Sequence, residues 1–484
     1  MKTLNDLAQA KGGVWRYFAL ICSTPHPSGH EEKLAALLKA EAEKSGLSVK
    51  QDSFGNLRID RKAAPGYENA PCIILQAHLD MVPQKAAGSN FDFLKDALKV
   101  VVSGNKLHCS GETTLGADDG SGVALAMDML TDTSFECGPL AAVFTREEEI
   151  GLNGARALAG EFLEGTYLLN LDSGCDSCFY AGCAGGEEEY GYFTPEFTEV
   201  PARAAAVKIE VAGLAGGHSG ADIHLQRGNA HKFMAALLTE LNSKVAVASI
   251  SGGSVVNAIS RESTAICVSE TDIAELQKCA DAFAQKLKTT FDASAEFGFK
   301  LTLCPMPAEV WTKDFQSTFL EMLNRLPDGV FEFSEELDCV CTSCNLGLIG
   351  TTDDGRIKVG CHPRAFDDAK WQENGENNKK LFEKFGGTFE AKAPYPGWKF
   401  KADSKLLEAG QKACEAVYGK RIPVRAIHAG LESGIFTASA PDLEMIAFSP
   451  ADHHCHTTEE YLEIDSTENV AQWLREVVKI LHGK

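Results

Sequence analysis

Three short apolar runs in the first part of the chain each stop at or near a histidine or a carboxylate. The runs are Cys72–Ala77, Leu140–Thr145 and Tyr167–Leu171, and their length and boundaries are typical of buried strands. Helical patterns at Glu31–Ser45 and Gly122–Leu130 complete what we predict to be parallel β-α-β units with helices on both faces of the sheet. Because ligands bind at the carboxyl ends of strands in such sheets, the residues after each run are candidates for a site.

The pattern changes near residue 181 and returns after residue 394. Between these points lie two strand–helix passages and a last strand, at Ala204–Val211, Ala230–Leu241, Thr264–Val268, Ile273–Leu287 and Ala293–Leu303. The first pattern then resumes at Ser404–Tyr418, Val424–His428, Leu443–Phe448 and Asp465–His482. We therefore predict an α/β protein with a mixed sheet, in which the domain of residues 1–186 and 395–484 is interrupted by an inserted α+β domain of residues 187–394.

Composition restricts the partners and the compartment. The net charge of −22 disfavours nucleic acids and anionic membranes as partners. Sixteen cysteines scattered over 484 residues are too sparse for a disulfide scaffold, and we expect a reducing, cytoplasmic location. No apolar run is long enough to span a membrane. Arg16 interrupts the apolar segment Val14–Cys22, which favours an amphipathic helix over a signal peptide.

Residues that could bind a metal recur after the apolar runs. His78 follows the first run, and Asp80 lies two residues further, on the same face of an extended strand. The other candidates are Asp118 and Asp119 at a glycine-rich helix start, Glu147–Glu149, Asp172, and the turn His453–His456. Each has an ordinary explanation as a hydrogen-bonded histidine, a helix cap or a group of solvated acids.

The joint position of these residues favours a metal site. Carboxylates gathered at strand ends repel one another, and a divalent cation relieves that repulsion. A mixture of imidazole and carboxylate ligands suits zinc, cobalt or manganese better than calcium or a thiolate-bound metal.

The order of these motifs resembles that of the dizinc amidohydrolases and exopeptidases. The chain is most similar to the bacterial aminoacyl-histidine dipeptidases within that family, and the resemblance spans essentially its whole length. The narrower motifs are Gly216–Ile223 with Arg227–Asn229, Asn257–Ile259, Tyr395–Trp398 and His428–Glu432.

The resemblance implies a role for individual residues. The implied metal ligands are His78, Asp118, Glu149, Asp172 and His456, and Asp118 would bridge two metals. His453 and His454 share the turn of the last ligand. Glu148 would be the general base, Asp80 would orient His78, and His218 would donate a hydrogen bond to the substrate carbonyl oxygen, from the same chain or from a partner subunit. The implied substrate contacts are Asn257, Arg364 and Glu432, with Arg364 binding the terminal carboxylate. A cis peptide bond between Asp118 and Asp119 is also implied.

The implied activity is hydrolysis of dipeptides such as β-Ala-His by a hydroxide that bridges two divalent metals, zinc first, with cobalt or manganese as alternatives. The inserted domain would serve as a lid and dimerisation domain of a homodimer. An N-acyl amino acid amidohydrolase, a tripeptidase, a carboxypeptidase and a non-catalytic metal-binding relative remain alternatives. The motifs of the metal site do not distinguish these alternative activities, because substrate specificity depends on contacts from the lid.

Two cysteine clusters stand outside this scheme. Cys175 and Cys178, and Cys339, Cys341 and Cys344, have the local spacing of thiolate zinc ligands, but the two clusters are far apart in the sequence. We interpret them as small buried apolar residues.

Overall fold

The structure is a computed structural model and describes residues 2–289, 297–335 and 337–483. Its helices are α1 (Leu4–Lys11), α2 (Val14–Cys22), α3 (Glu32–Lys44), α4 (Ala117–Thr131), α5 (Asn153–Ala157), α6 (Ala230–Glu240), α7 (Ile273–Lys288), α8 (Lys313–Arg325), α9 (Asp368–Lys384), α10 (Lys405–Tyr418), α11 (Glu432–Ser439) and α12 (Ile464–Leu481).

The strands of the described residues, in chain order, are β1 (Lys2–Thr3), β2 (Ser48–Gln51), β3 (Leu57–Arg61), β4 (Ile73–His78), β5 (Val101–Ser103), β6 (Lys106–His108), β7 (Leu140–Thr145), β8 (Tyr167–Asn170), β9 (Phe179–Cys183), β10 (Gly185–Phe193), β11 (Phe197–Glu199), β12 (Ala205–Ala212), β13 (Gly217–His218), β14 (Ala246–Ser251), β15 (Ala258–Ile259), β16 (Ser263–Ser269), β17 (Gly298–Leu303), β18 (Glu309–Trp311), β19 (Gly329–Ser334), β20 (Cys339–Thr351), β21 (Ile357–Ala365), β22 (Thr388–Tyr395), β23 (Val424–Ile427), β24 (Glu444–Ala447), β25 (Asp452–His453) and β26 (Tyr461–Glu463).

The chain divides into two compact units. The first comprises the residues up to Cys183, Trp398–Ala426, and the residues from Leu431 onward. The second comprises Ala184–Gly397 and the short segment Ile427–Gly430. The sequence did not predict that this short segment belongs to the second unit.

An eight-stranded mixed sheet with the order β2-β3-β7-β4-β8-β24-β9-β23 forms the centre of the first unit. Its middle strands β7, β4, β8 and β24 are parallel, while β3 pairs with β7 antiparallel. Every residue of β4, β7 and β8 is buried, as expected for parallel strands covered on both faces. The predicted α/β class is confirmed, and His78, Glu147–Glu149 and Asp172 lie at or just after the carboxyl ends of these three strands.

Helix α4 is held against this sheet and against α2. Gly120 of α4 lies so close to α2 that an added Cβ atom would be 3.3 Å from Ile21 and 3.5 Å from Phe18. The apolar face of α2, including Trp15 and Phe18, is buried in the same core. This packing fixes the amino-terminal turn of α4, which carries Asp118.

In the part of the second unit that the structure describes, there are two larger antiparallel sheets, where the sequence indicated one. The predicted sheet has the order β14-β16-β12-β17, and the other has the order β19-β20-β21-β10-β22. The last strand of the predicted sheet begins at Gly298, and residues 293–296 of the expected strand Ala293–Leu303 lie outside the described residues.

Membrane-spanning helices are absent from the described part of the chain, where no helix combines the necessary length and apolar character.

Candidate active site

His78 ends β4 with its imidazole directed towards carboxylates. Its Nδ1 lies 3.0 Å from the carbonyl oxygen of Asp80 and 3.4 Å from Oδ1 of the same residue. Nδ1 therefore carries the proton in the neutral ring, and this leaves the Nε2 lone pair available to a metal. Nε2 lies 3.0 Å from Asp118 Oδ1 and 3.9 Å from Asp172 Oδ2.

Asp118 lies in the first turn of α4, after Gly116, whose φ of 68° places it in the left-handed region. The Asp118–Asp119 peptide bond is cis, as the resemblance implied. One carboxylate oxygen of Asp118, Oδ1, faces His78, and the other, Oδ2, lies 3.3 Å from His456 Nε2. The two oxygens of a single carboxylate thus serve two different imidazoles, which is the arrangement a bridging ligand requires.

Glu460 fastens the turn before Asp118. Its buried carboxylate accepts hydrogen bonds from the backbone nitrogens of Leu115, Gly116 and Ala117 at 2.7, 3.2 and 2.8 Å. A carboxylate at this end of α4 also interacts favourably with the helix dipole. The contact of Glu460 with this turn was not predicted from the sequence.

Asp80 orients two parts of the site at once. Besides its contacts with His78, its carboxylate accepts from the backbone nitrogens of Glu148 at 3.0 Å and Glu149 at 3.2 Å. Glu147 has a φ of 53°, which turns the chain so that both nitrogens reach one carboxylate. The sequence indicated only the contact between Asp80 and His78.

Of the three histidines in the turn after β24, the structure brings His456 to the other candidate ligands. Its Nε2 lies 2.8 Å from Glu149 Oε1. His453 instead contacts Glu463 at 3.0 Å and stacks on Tyr461. Of His453 and His456, therefore, His456 is the one that lies beside the other candidate ligands, and its role as the last ligand stays a prediction.

The donors form two groups that share Asp118. His78 Nε2 lies beside Oδ1 of Asp118 and 3.9 Å from Asp172 Oδ2. His456 Nε2 lies beside Oδ2 of Asp118 and 2.8 Å from Glu149 Oε1. Ligand atoms of His78, Asp118 and Glu149, which belong to both groups, all lie within 4.8 Å of one another, so the two groups are adjacent and the donors are close enough to hold metal ions.

The charges of the site also suit cations. Burial, reinforced by neighbouring carboxylates such as Asp118, raises the pKa of Asp172 well above its usual value. Burial likewise raises the pKa of Glu148 well above its usual value, with Asp172 contributing further. The imidazoles of His78 and His456 cannot balance the charge of the four carboxylates of Asp118, Glu148, Glu149 and Asp172, whereas two divalent cations can. Imidazole nitrogens and carboxylate oxygens are also donors that zinc accepts. The residues present therefore fit a pair of divalent metals.

Glu432 is 1% exposed. Its Oε2 accepts from Gln76 Nε2 at 2.5 Å and from Thr145 Oγ1 at 2.9 Å. These partners place Glu432 among buried side chains of the first unit, so its contact with substrate stays a prediction.

In the second unit, His218 has a defined tautomer. Its Nδ1 accepts from the backbone nitrogens of Gly220 and Ala221 at 3.2 and 3.1 Å, and burial lowers its pKa. The neutral ring therefore carries its proton on Nε2, where it can be donated to an oxygen atom. Asn257 is exposed and precedes Ala258, which pairs with His218 between β13 and β15.

Arg364 is buried in the same unit among neutral groups. Its guanidinium donates to the Tyr395 hydroxyl at 2.5 Å and lies 3.4 Å from Ser219 Oγ, while Nε has no partner among the described residues. His362 and His428 are both buried. Burial lowers the pKa of each ring, and the positive charge of the nearby Arg364 lowers it further. A buried guanidinium with neutral neighbours favours an anionic ligand.

The sequence profile described as peptidase family M20/M25/M40 matches residues 74–480. The chain belongs to this family. This M20 peptidase is 35% identical to the cytosol non-specific dipeptidase of Escherichia coli (strain K12), over 99% of its own length and 100% of that relative. The family resemblance and the expectation of a hydrolytic enzyme, a peptidase, are thereby confirmed.

Solved structures agree with this assignment. The crystal structure of aminoacylhistidine dipeptidase from Vibrio alginolyticus matches the M20 peptidase with a TM-score of 0.88 at 33% identity, over 96% of each chain. A tripeptidase from Staphylococcus aureus matches with a TM-score of 0.60 at 16% identity, over 97% of this chain and 98% of that chain, which shows a shared fold alone.

Proposed function

We propose that this M20 peptidase is a dipeptidase that holds two divalent cations, first of all zinc, through His78, Asp118, Glu149, Asp172 and His456. The observation that carries the proposal is the placement of the two Asp118 oxygens beside different imidazoles. The choice of dipeptides follows the names of the Escherichia coli and Vibrio relatives. Histidine-containing dipeptides such as β-Ala-His are the first candidates, and other unblocked dipeptides follow.

Glu148 is the proposed general base. When bound, divalent cations polarise a peptide carbonyl and lower the pKa of water. Glu148 accepts a proton from the attacking water and returns it to the leaving amine. The Asp80 carboxylate accepts from the backbone nitrogen of Glu148, and Asp80 orients His78 through its carbonyl oxygen and its carboxylate, so one residue aligns the proposed base with a proposed ligand.

His218 and Arg364 are the proposed substrate-binding groups of the second unit, with Asn257 beside His218. The neutral His218 ring donates from Nε2 to the carbonyl oxygen as negative charge develops there. Arg364 binds the terminal carboxylate of the dipeptide, a role supported by the absence of a carboxylate partner for its buried guanidinium among the described residues. We also propose a homodimer and a cytoplasmic location, in line with the cytosolic name of the Escherichia coli relative.

A substrate panel tests the proposed activity. The metal-free protein is supplied with zinc, cobalt or manganese and given β-Ala-His, Gly-His, Leu-Gly, Gly-Gly-Gly and N-acetyl-Met, with chelator controls. We expect chelator-sensitive cleavage of the dipeptides only. Cleavage restricted to the tripeptide or the acyl substrate would replace the dipeptidase proposal with another M20 activity, and no cleavage with any metal would contradict it.

Replacing Arg364 with methionine should raise the KM for dipeptides roughly 10- to 100-fold, because a charge-assisted hydrogen bond contributes about 1.5–3 kcal/mol. The same variant should act on the corresponding dipeptide amides much as the unmodified protein does, since these lack the carboxylate. Arg356→Met is the matched control, because Arg356 is only half-buried and already pairs with a carboxylate, that of Asp354. Equal losses on dipeptides and amides would assign Arg364 a structural role instead.

A further inference from the structure

Two cysteines lie side by side in the loop that follows β8. Cys175 Sγ and Cys178 Sγ are 3.6 Å apart. Cys175 Sγ also lies 3.0 Å from Ser177 Oγ and accepts from the Ser177 backbone nitrogen at 3.3 Å. The loop conformation therefore gathers hydrogen-bonding groups around one sulfur atom, which apolar packing of the two cysteines does not require.

The two thiols are chemically unequal. Cys175 is half-exposed and Cys178 is buried. The hydrogen bond that Cys175 accepts from the Cys178 thiol, together with those from Ser177, lowers the pKa of Cys175 to about 5. Donating that hydrogen bond raises the pKa of Cys178, and burial of Cys178 raises it further. One accessible thiolate next to one buried thiol is the arrangement of a reactive cysteine with a resolving partner.

The loop is bound to the segments on both sides of His456. Ser173 N donates to Ser449 Oγ at 3.1 Å, and Asp176 accepts from Ser466 Oγ at 2.7 Å. Gly174 has a φ of 62° and lies so close to Asp452 that an added Cβ atom would be 2.7 Å from its Oδ1. Since Asp172 precedes this loop directly, movement of the loop reaches two of the proposed ligands.

We infer that Cys175 and Cys178 form an oxidation site for hydroperoxides, and that closing their disulfide slows peptide hydrolysis. The Cys175 thiolate attacks the peroxide, so that an S–O bond forms, the O–O bond breaks and, with one proton taken up, one water leaves. Cys178 then loses its proton and attacks the Cys175 sulfur, forming the S–S bond and releasing a second water. Hydrogen peroxide is reduced to two waters as the dithiol is oxidised. The sulfur separation shortens from 3.6 Å to about 2 Å, which pulls on the loop.

The test uses the full metal-loaded protein, treated with hydrogen peroxide, alkylated and digested with trypsin. Residues 157–203 form one tryptic peptide that contains Cys175, Cys178 and Cys183, so fragment spectra must place the link. We expect the peptide to lose two hydrogens between Cys175 and Cys178. We also expect kcat/KM to fall about tenfold, as for loss of contacts that support metal ligands, and to recover with dithiothreitol. The link is measured without any peptidase assay, so it is independent of the proposed function.

Two variants distinguish the dithiol from general oxidation. Cys175→Ser should hydrolyse peptides at the unmodified rate and become resistant to peroxide. Cys279→Ser should stay as sensitive to peroxide as the unmodified protein. Cys279 is a half-exposed thiol like Cys175, but its sulfur accepts a hydrogen bond from Lys244 and not from a second cysteine. Unlinked Cys175 and Cys178 in peroxide-treated protein, or a Cys175→Ser variant that is inactivated as fast as the unmodified protein, would overturn the inference.

Discussion

Replacing Glu148 with glutamine should lower kcat by about 10²- to 10⁴-fold, the usual contribution of a general base, while both metals stay bound. Glutamine keeps the shape of the side chain but cannot accept the proton of the attacking water. The backbone of residue 148 is held by Asp80. Glu148 lies outside the group of His78, Asp118 and Glu149, whose ligand atoms are within 4.8 Å of one another. Metal content measured by elemental mass spectrometry, together with kcat, distinguishes a general base from a metal ligand.

Glu147→Gln is the matched control for this experiment. Glu147 is the adjacent carboxylate, and its Oε2 accepts from Asn153 Nδ2 at 3.0 Å. We expect this variant to keep most of its activity and all of its metal. If Glu148→Gln loses metal in proportion to activity, Glu148 is a ligand and the base must be another group.

Replacing Asp118 with asparagine should remove both metals and abolish hydrolysis. Each oxygen of Asp118 lies beside a different imidazole, so the substitution damages both donor groups. The loss of metal affinity and of activity should exceed the roughly 10- to 100-fold loss that follows removal of a group hydrogen-bonded to a metal ligand. Elemental analysis after gel filtration gives the metal content, and melting curves with and without added zinc give a second readout, because metal binding stabilises the folded state.

Comparison with two histidine variants makes the Asp118 result specific. His456→Ala should lose one of the two metals, since His456 approaches only one Asp118 oxygen. His453→Ala should retain both, because His453 contacts Glu463 in the same turn. An Asp118→Asn variant that still binds two metals would show that Asp118 does not bridge them.

Elements with a uniform apolar pattern could be predicted from the sequence. The structure has the strand Leu140–Thr145 and the helix Val14–Cys22 with the predicted bounds. The strand is an unbroken apolar run and is buried throughout, whereas in the helix the spacing of apolar residues specifies the buried face.

The hairpin of β20 and β21 could not be predicted in this way. The segment Cys339–Thr351 mixes cysteine, serine, threonine, asparagine and glycine, so it lacks a clear alternation. Its Gly347 approaches Val255 so closely that an added Cβ atom would be 2.6 Å from a backbone oxygen. Tertiary packing, which no local pattern records, determines this strand.

His78, Glu149 and Asp172 could be singled out as candidate ligands because they lie at or after the ends of strands that meet at one edge of a sheet. Asp118 at a helix start and His456 in a turn depended on the family resemblance. The groups that position these ligands could not be predicted. Asp80 reaches the backbone of Glu148 and Glu149 only because Glu147 has a positive φ. Glu460 reaches three backbone nitrogens only because the turn at Gly116 presents them together.

The contact between Glu460 and Leu115 joins residues that are 345 positions apart, and this separation has a consequence for the life of the chain. A ribosome releases the turn of Asp118 long before it has made the carboxylate that fastens it. During that interval the growing polypeptide also lacks His456. Capture of the metal that His456 is proposed to bind must therefore await the last stage of synthesis, and an unfinished chain lacks the complete form of the proposed centre.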